Sequence, residues 1–191
     1  MESDRDVEIA DDELTVILGK RGSGKTELIK YFVRKLIMAE KSLLIFDVVG
    51  NLSGFKTFKR VSYYALNPHN TTRIDNIINT EKKRLPYVFI LDEADRYDYF
   101  ANSKSNLSDL INLGRNWGIG VIASARRTAN ISKDFISNAN NYFVFRHNEI
   151  NDLEVLKQTF GLDHSFFKEI PEHSFAVFKD TEYLYTMRLT L

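Results

Sequence analysis

The chain has 191 residues, of which 43% are hydrophobic and 27% are charged, and its formal net charge at pH 7 is zero. This composition fits a folded domain rather than a disordered chain, so we predict one domain over residues 1–191 with a flexible acidic N-terminus over residues 1–12. The absence of cysteine excludes a disulfide framework and a thiolate zinc site, and the neutral charge excludes a strongly basic protein that coats nucleic acid.

The sequence also lacks the features of a membrane or secreted protein. No apolar run approaches the roughly 20 residues that span a bilayer, and the N-terminus is acidic, unlike that of a signal peptide. We therefore predict a cytoplasmic protein without a membrane segment. The four histidines are scattered and do not have the spacing of metal ligands.

Apolar β-branched runs alternate with helical patterns along the chain, which is typical of an α/β fold with a largely parallel sheet flanked by helices. The predicted strands cover residues 14–18, 43–46, 61–65, 87–91, 119–123 and 142–145. The predicted helices cover residues 25–38, 71–84, 107–114 and 150–160. At the C-terminus, residues 174–178 and 183–189 alternate and predict a β-hairpin.

A glycine-rich segment lies between the first predicted strand and the first predicted helix, and it fits the pattern GxxxxGK[ST]. Its glycines allow backbone N–H groups to point at phosphate oxygens, and the following helix presents its positive end to the same anion. We expect Lys25 to reach the β- and γ-phosphates and Thr26 to offer its hydroxyl to Mg²⁺. ATP and Mg²⁺ are therefore the predicted cofactors. The predicted nucleotide contacts are Gly19, Lys20, Arg21, Gly22, Ser23, Gly24, Lys25, Thr26 and Glu27.

An acidic pair, Asp92 and Glu93, follows the apolar strand predicted over residues 87–91. Sites in open α/β sheets lie at the carboxyl ends of the strands. Asp92 is therefore predicted to hold Mg²⁺, and Glu93 to orient or deprotonate the attacking water. An Asp-Glu pair in this position indicates hydrolysis rather than transfer of phosphate to a small acceptor.

Arginines flank the strand predicted over residues 119–123, which we expect beside the acidic pair in the sheet. At its polar end, Ser124 or Arg126 is placed to sense the γ-phosphate. A guanidinium supplied by a neighbouring subunit stabilises the charge that develops during phosphoryl transfer. Arg115 and Arg126 are the candidates for this role.

Taken together, these motifs resemble the HerA/FtsK superfamily of ring-forming ATPases, which includes viral genome-packaging ATPases. The most specific piece is Gly114-Arg115-Asn116-Trp117-Gly118-Ile119, which is similar to the Gly-Arg-x-x-Gly-Ile segment of that family. The strand Phe143-Val144-Phe145-Arg146 followed by a helix also looks like the family's late strand and helix. The resemblance runs from Leu14 to about Leu189.

This resemblance implies a RecA-like sheet, a homohexameric ring and ATP-driven movement of double-stranded DNA without sequence specificity. The lack of an anchor or a separate DNA-reading domain suits a viral packaging ATPase, with a capsid or vertex protein as partner and a location in the host cytoplasm or the virion. One position departs from the family. Its strand-end glutamine corresponds to Ala125 here, so Ser124 or Arg126 is expected to act as the γ-phosphate sensor.

Three short basic stretches are candidates for contacts with DNA phosphates. The first follows the acidic pair and contains Arg96 and Lys104. The second contains Lys56 and Lys59, with Arg60 beside them, and the third covers residues 82–84.

Three other functions remain open from the sequence. A cellular HerA/FtsK-like DNA pump or helicase partner would carry the same motifs. A nucleotide-dependent switch or assembly ATPase is compatible with the missing glutamine. A small-molecule kinase is also a single P-loop domain, although Glu93 beside Asp92 argues against it.

Overall fold

A computed structural model describes residues 9–10, 12–84, 86–97 and 106–189. The strands are β1 (Leu14–Leu18), β2 (Leu43–Asp47), β3 (Val61–Ala65), β4 (Val88–Leu91), β5 (Gly120–Ala125), β6 (Asn141–Phe145), β7 (Ser174–Lys179) and β8 (Glu182–Arg188). The helices are α1 (Lys25–Met38), α2 (Thr71–Glu81), α3 (Asn106–Leu113), α4 (Lys133–Asn138), α5 (Ile150–Phe160) and α6 (His164–Glu169).

All eight strands form one sheet in the order β3-β2-β4-β5-β1-β6-β7-β8. The first six strands of this order run parallel, and β7 and β8 add an antiparallel hairpin at one edge. A register shift interrupts the β7–β8 ladder between Val177 and Phe178. Because parallel strands end on the same side, β1, β2, β4, β5 and β6 all deliver their carboxyl ends to one edge of the sheet.

The two faces of the sheet are covered unequally. Side chains alternate between the faces of a strand, so Ile17 points to one face while Val16 and Leu18 point to the other. On the face of Ile17, α1 buries a helical stripe of Leu28, Ile29, Phe32 and Val33 against the sheet. On the opposite face, α2 to α6 all contribute buried side chains to the core: Ile74, Ile78, Leu107, Leu110, Phe135, Leu153, Leu156 and Phe167.

The predicted α/β architecture is confirmed, including the mainly parallel sheet and the C-terminal hairpin. The helix predicted over residues 71–84 ends as an α-helix at Glu81 and continues as a 3₁₀ turn over residues 82–84. The helices α4 and α6 were not predicted. Each has only six residues, which is too short for a helical repeat of apolar positions to be recognised.

Within the described residues, no helix is both long enough and apolar enough to cross a membrane.

Candidate active site

The carboxyl edge of the sheet brings together the glycine-rich segment and the acidic pair. A cleft of about 440 Å³ opens there, which is within the size range of small-molecule sites. Its walls are formed by Arg21, Gly22, Lys25, Thr26, Val49, Asn51, Asp92, Glu93, Arg96 and Arg126. Eight of these ten residues are predicted site or DNA-contact residues, and Val49 and Asn51 are additional.

Two glycines give the loop after β1 its path. The Gly19 N–H donates to the Ala125 carbonyl at 3.2 Å, and a Cβ at Gly19 would lie 2.6 Å from the Cβ of Phe145. The loop therefore leaves β1 through a gap between β5 and β6 that excludes any side chain. Gly24 precedes α1 with φ 113°, a backbone conformation that favours glycine. The loop consequently turns back over the N-terminus of α1.

Lys25 rests on the loop itself. Its Nζ donates to the carbonyls of Gly19 at 2.6 Å and Lys20 at 2.9 Å, and the residue is 7% exposed. Burial lowers the pKa of Lys25 to about 8, and the negative charge of Asp92 partly opposes this shift. The ammonium thus lies in a cleft where a bound anion would restore its preference for the charged form.

Asp92 is held by a side chain from the neighbouring strand. The Ser124 hydroxyl donates to Asp92 Oδ1 at 2.6 Å and accepts from the Glu93 N–H at 3.1 Å. Burial raises the pKa of Asp92, while the hydrogen bond from Ser124 lowers it. Asp92 Oδ2 is buried without a hydrogen-bond partner among the described residues. An oxygen of this kind, in the same cleft as the Thr26 hydroxyl, fits the oxygen ligands that Mg²⁺ prefers.

The Glu93 carboxylate forms ion pairs with two arginines. It has a left-handed backbone, with φ 55° and ψ 51°, and is 9% exposed. Arg96 Nη1 contacts Glu93 Oε2 at 2.9 Å, and Arg126 Nε contacts Glu93 Oε1 at 3.3 Å. Both carboxylate oxygens are therefore engaged in the structure, and Arg126 lies in the same chain's cleft.

Asp95 connects the turn after β4 to the segment after β5 through two hydrogen bonds. Its two oxygens accept from the backbone N–H groups of Arg126 at 3.1 Å and Arg127 at 3.3 Å. The same segment is tied further along, where the Ala129 N–H donates to Asp152 at 2.9 Å. Nothing in the sequence pattern pointed to this role of Asp95, because a carboxylate that accepts from distant backbone groups leaves no local signature.

A third aspartate shapes another part of the cleft wall. Asp47, at the end of β2, is fully buried. It accepts from three backbone N–H groups of the following turn at 2.7–3.1 Å and from the Tyr63 hydroxyl at 3.0 Å. These bonds fold the turn so that Val49 and Asn51 face the phosphate loop.

A second depression lies on the other flank of the loop. It is lined by Lys20, Arg21, Gly22, Ser23, Phe145, Arg146, Pro171, Glu172, His173 and Ser174. The Ser23 hydroxyl is buried and has no hydrogen-bond partner among the described residues. Glu27, by contrast, pairs with Lys30 on the surface of α1 at 2.8 Å.

The structure separates the two candidate arginine fingers. Arg115 is exposed in the 3₁₀ turn Gly114–Trp117, which precedes β5, so it lies at the amino-terminal edge of the sheet. A six-residue strand such as β5 advances roughly 17 Å. Arg115 is therefore on the far side of the sheet from its own cleft, whereas Arg126 is inside it.

The predicted DNA contacts are also dispersed. Lys59 lies with Arg60 and Arg84 along a groove at the amino-terminal ends of β3 and β4, and Lys56 is exposed nearby in the chain. Arg96 is engaged with Glu93 in the cleft. Lys104 lies outside the described residues.

Comparison with solved structures identifies the fold. The genome packaging NTPase B204 from Sulfolobus turreted icosahedral virus 2, in complex with AMPPCP, matches with a TM-score of 0.81 and 20% identity over 95% of this chain and 100% of that chain. B204, the DNA-packaging ATPase from Sulfolobus turreted icosahedral virus, matches with a TM-score of 0.77 and 21% identity over 95% and 100%. The pCW3 conjugation coupling protein TcpA, with ATPγS, matches with a TM-score of 0.70 and 12% identity over 95% and 62%.

No protein-family model and no curated protein sequence matches the chain. At these identities the structural matches establish the fold. The chain has the RecA-like P-loop NTPase fold that the sequence predicted.

The gap that Gly19 occupies leads to a stability prediction. In Gly19→Ala, the new Cβ would lie 2.6 Å from Phe145 Cβ and 2.8 Å from Ser23 Oγ. We expect the free energy of unfolding to fall by about 3 kcal/mol, as in other overpacked sites. Gly22→Ala is the matched control, because Gly22 has φ 77° and nothing within 4 Å of the added Cβ. Its cost is the left-handed strain alone, about 1 kcal/mol. Urea unfolding followed by circular dichroism measures both losses, and equal losses would contradict the crowding at Gly19.

Proposed function

We propose that this chain is an ATP-hydrolysing motor that translocates double-stranded DNA and packages a viral genome into a capsid. The observation that carries the proposal is the meeting of the phosphate loop, Asp92 and Glu93 in one cleft of this fold. The packaging NTPase B204 shares the fold along its whole length. The segment Gly114–Ile119, which resembles the HerA/FtsK superfamily, supports the same function.

In this proposal, the loop residues 19–26 bind the triphosphate through their backbone N–H groups. Lys25 exchanges its two loop carbonyls for phosphate oxygens. Thr26 and Asp92 are the residues that would hold Mg²⁺, and the unpartnered Asp92 Oδ2 supports this assignment. When bound, Mg²⁺ neutralises charge on the β- and γ-phosphate oxygens.

We also assign the two ends of the nucleotide to the two flanks of the loop. We place the γ-phosphate beside Asp92 and Glu93, which line the same cleft as Lys25. The nucleoside would then lie on the other flank of the loop, in the depression that Ser23 and His173 help to line.

Glu93 is the general base of this mechanism. A water proton moves to its carboxylate, the water oxygen bonds to the γ-phosphorus, and the bond from that phosphorus to the ADP oxygen breaks. Arg126 lies in the same cleft and is placed to stabilise the charge on the transferring group. Ser124 does not line the cleft. It is fully buried and acts through Asp92.

Arg115 is proposed to complete the site of a neighbouring copy. It is exposed and lies at the sheet edge opposite its own cleft, so only a second subunit can bring it to a γ-phosphate. This requirement supports a ring in which each cleft faces the Arg115 edge of the next copy, and we propose a homohexamer.

One group of the proposed DNA contacts lies along the same amino-terminal edge, whereas Arg96 lies in the cleft. The side chains of Lys59, Arg60 and Arg84 line one groove there, and Lys56 is exposed nearby in the chain. A ring repeats this small basic surface in every copy, which compensates for the zero net charge of the chain. A capsid or vertex protein is the proposed docking partner, in the host cytoplasm or the virion.

The direct test of the motor is ATP turnover with and without double-stranded DNA. We expect DNA to stimulate hydrolysis at least about five-fold. Lys25→Ala should abolish nucleotide binding, and Glu93→Gln should bind ATP while hydrolysing it about 100-fold more slowly.

Turnover that DNA does not stimulate, by a protein that stays monomeric with every nucleotide, would contradict the motor function. Slow turnover with a nucleotide-gated protein partner would indicate a switch, and phosphate transfer to an added nucleoside would indicate a kinase.

The environment of Lys25 predicts how nucleotide affinity depends on pH. Its pKa in the free protein is about 8, and a bound triphosphate raises that pKa. The affinity for ATP should therefore be maximal below pH 8. Above pH 8 it should weaken by about ten-fold per pH unit, until the pH reaches the pKa of Lys25 in the complex. Calorimetry between pH 7.5 and 9.5 measures this. Lys25→Arg is the control, because its guanidinium stays charged, and a flat profile for the unmodified protein would contradict the prediction.

Mixing experiments test the position of Arg115. Arg115→Ala alone should lose at least about 100-fold in DNA-stimulated turnover, because it lacks the charge supplied to the next copy. Adding Lys25→Ala subunits, which have no working cleft but keep Arg115, should restore part of the activity. Failure to restore activity at any mixing ratio would count against an arginine shared between subunits.

A further inference from the structure

We propose that the carboxamide of Asn51, in the turn after β2, recognises the γ-phosphate of the bound nucleotide. Its Nδ2–H group donates to a γ-phosphate oxygen at the end of the cleft that is farthest from the nucleoside. The chain therefore binds ATP in preference to ADP. This inference rests on the proposed ATPase function and adds to it a residue that distinguishes the two nucleotides.

The turn that carries Asn51 is held in place by hydrogen bonds and by burial. Asp47 and Leu52, which flank the turn, are both fully buried. Asp47 Oδ1 accepts from the N–H groups of Val49 at 3.1 Å and Gly50 at 2.7 Å. Asp47 Oδ2 accepts from the Leu52 N–H at 2.7 Å, and Gly50 has φ 89°, a conformation that favours glycine. The position of Asn51 is thus set before a nucleotide binds, which lowers the entropic cost of binding through it.

The Asn51 side chain is available to a ligand. The residue is exposed and lines the cleft. Among the described residues its carboxamide has no hydrogen-bond partner, so both N–H donors and the oxygen can bind another molecule. Val49 also lines the cleft from this turn, but its side chain has no donor. Asn51 is therefore the polar side chain that the turn after β2 contributes to the cleft.

The order of the strands places Asn51 at one end of the nucleotide. The sheet runs in the order β6, β1, β5, β4, β2 across this region. The depression proposed for the nucleoside includes Phe145 at the end of β6, and the phosphate loop follows β1. Arg126 follows β5, the acidic pair follows β4, and the turn of Asn51 follows β2. A triphosphate that lies on the loop with its nucleoside toward β6 therefore directs its last phosphate toward β2.

The turn after β2 also begins level with the acidic pair. Phe46 pairs in register with Leu91, and the Asp92 N–H donates to the Phe46 carbonyl at 3.0 Å. At the other end of the turn, Leu52 packs in the core cluster that contains the buried stripe of α1. The turn is therefore beside Asp92 and on the face of the sheet where Lys25 begins α1.

A neutral donor suits a residue that distinguishes ATP from ADP. The charges of Lys25 and Arg126 attract every phosphate of a nucleotide, because charge acts over long distances. A carboxamide acts at hydrogen-bond distance, so Asn51 contributes only when a phosphate occupies the β2 end of the cleft. ADP ends one phosphate earlier and leaves that end empty. From the β5 side, Ser124 and Ala125 are fully buried and do not line the cleft.

Nucleotide affinities of Asn51 variants test this assignment. The probes are AMPPCP and ADP, each with Mg²⁺, and calorimetry measures both dissociation constants. Asn51→Ala should weaken AMPPCP binding at least about ten-fold, as expected for a lost hydrogen bond to a charged group, and ADP binding less than about two-fold. Asn51→Asp has the same shape but a negative charge, so it should weaken AMPPCP binding further. Asn51→Gln keeps a carboxamide and should retain part of the preference for AMPPCP.

Asn151 supplies the matched controls. It is exposed on α5 and does not line the cleft. Asn151→Ala and Asn151→Asp repeat the two changes there and should leave both affinities unchanged. Should Asn51→Ala unfold, Asn51→Asp preserves the shape of the side chain and tests the same contact. A residue that only supported the turn would change the free energy of unfolding and leave the ratio of the two affinities as it is.

Three outcomes would overturn the role of Asn51. Equal weakening of AMPPCP and ADP binding by Asn51→Ala would place the contact nearer the nucleoside. Unchanged affinities for both nucleotides would remove the contact altogether. A lower kcat with an unchanged affinity for AMPPCP would place Asn51 on the attacking water instead. A chain that binds neither nucleotide would refute the proposed function, whereas an active ATPase that is insensitive to Asn51 would refute only this inference.

Discussion

One buried hydroxyl organises the chemistry of the cleft. Ser124 Oγ holds Asp92 Oδ1 at 2.6 Å and receives the Glu93 N–H at 3.1 Å. Through these two bonds the end of β5 fixes both members of the acidic pair. Asp92 is left with one unpartnered oxygen, and Glu93 is held in a left-handed backbone conformation. Arg126 lies two residues after Ser124, so the end of β5 also determines its position.

Two charged groups of the cleft have polar partners within the chain. Lys25 lies on two loop carbonyls, and Glu93 lies on two arginines. Buried charges are stable only when they are compensated, so these pairings allow the charges to persist in a partly buried site. A ligand that brings several negative oxygens would replace them without leaving a buried cation unpaired.

The sequence predicted the sheet and the phosphate loop because both depend on local patterns. Apolar runs identified β1, β4 and β5, and the glycine spacing identified the loop. The helices α4 and α6 escaped prediction because six residues show no periodicity. Asp47 and Asp95 were given no role because their hydrogen bonds reach backbone groups whose positions depend on the folded turns. Arg115 and Arg126 looked equivalent as candidate fingers until the structure placed them at opposite ends of β5.

The hairpin at the end of the sheet has a consequence for assembly. Among the described residues, the outermost strand β8 pairs only with β7, and the free edges of sheets attract strands from other molecules. The ladder behind β8 is interrupted between Val177 and Phe178, and charged residues stand at both ends of β8, Glu182 and Arg188. Irregular pairing and terminal charges discourage the continuous strand addition that would lengthen the sheet from copy to copy. This edge of the sheet is thereby protected against strand addition from other copies of the chain.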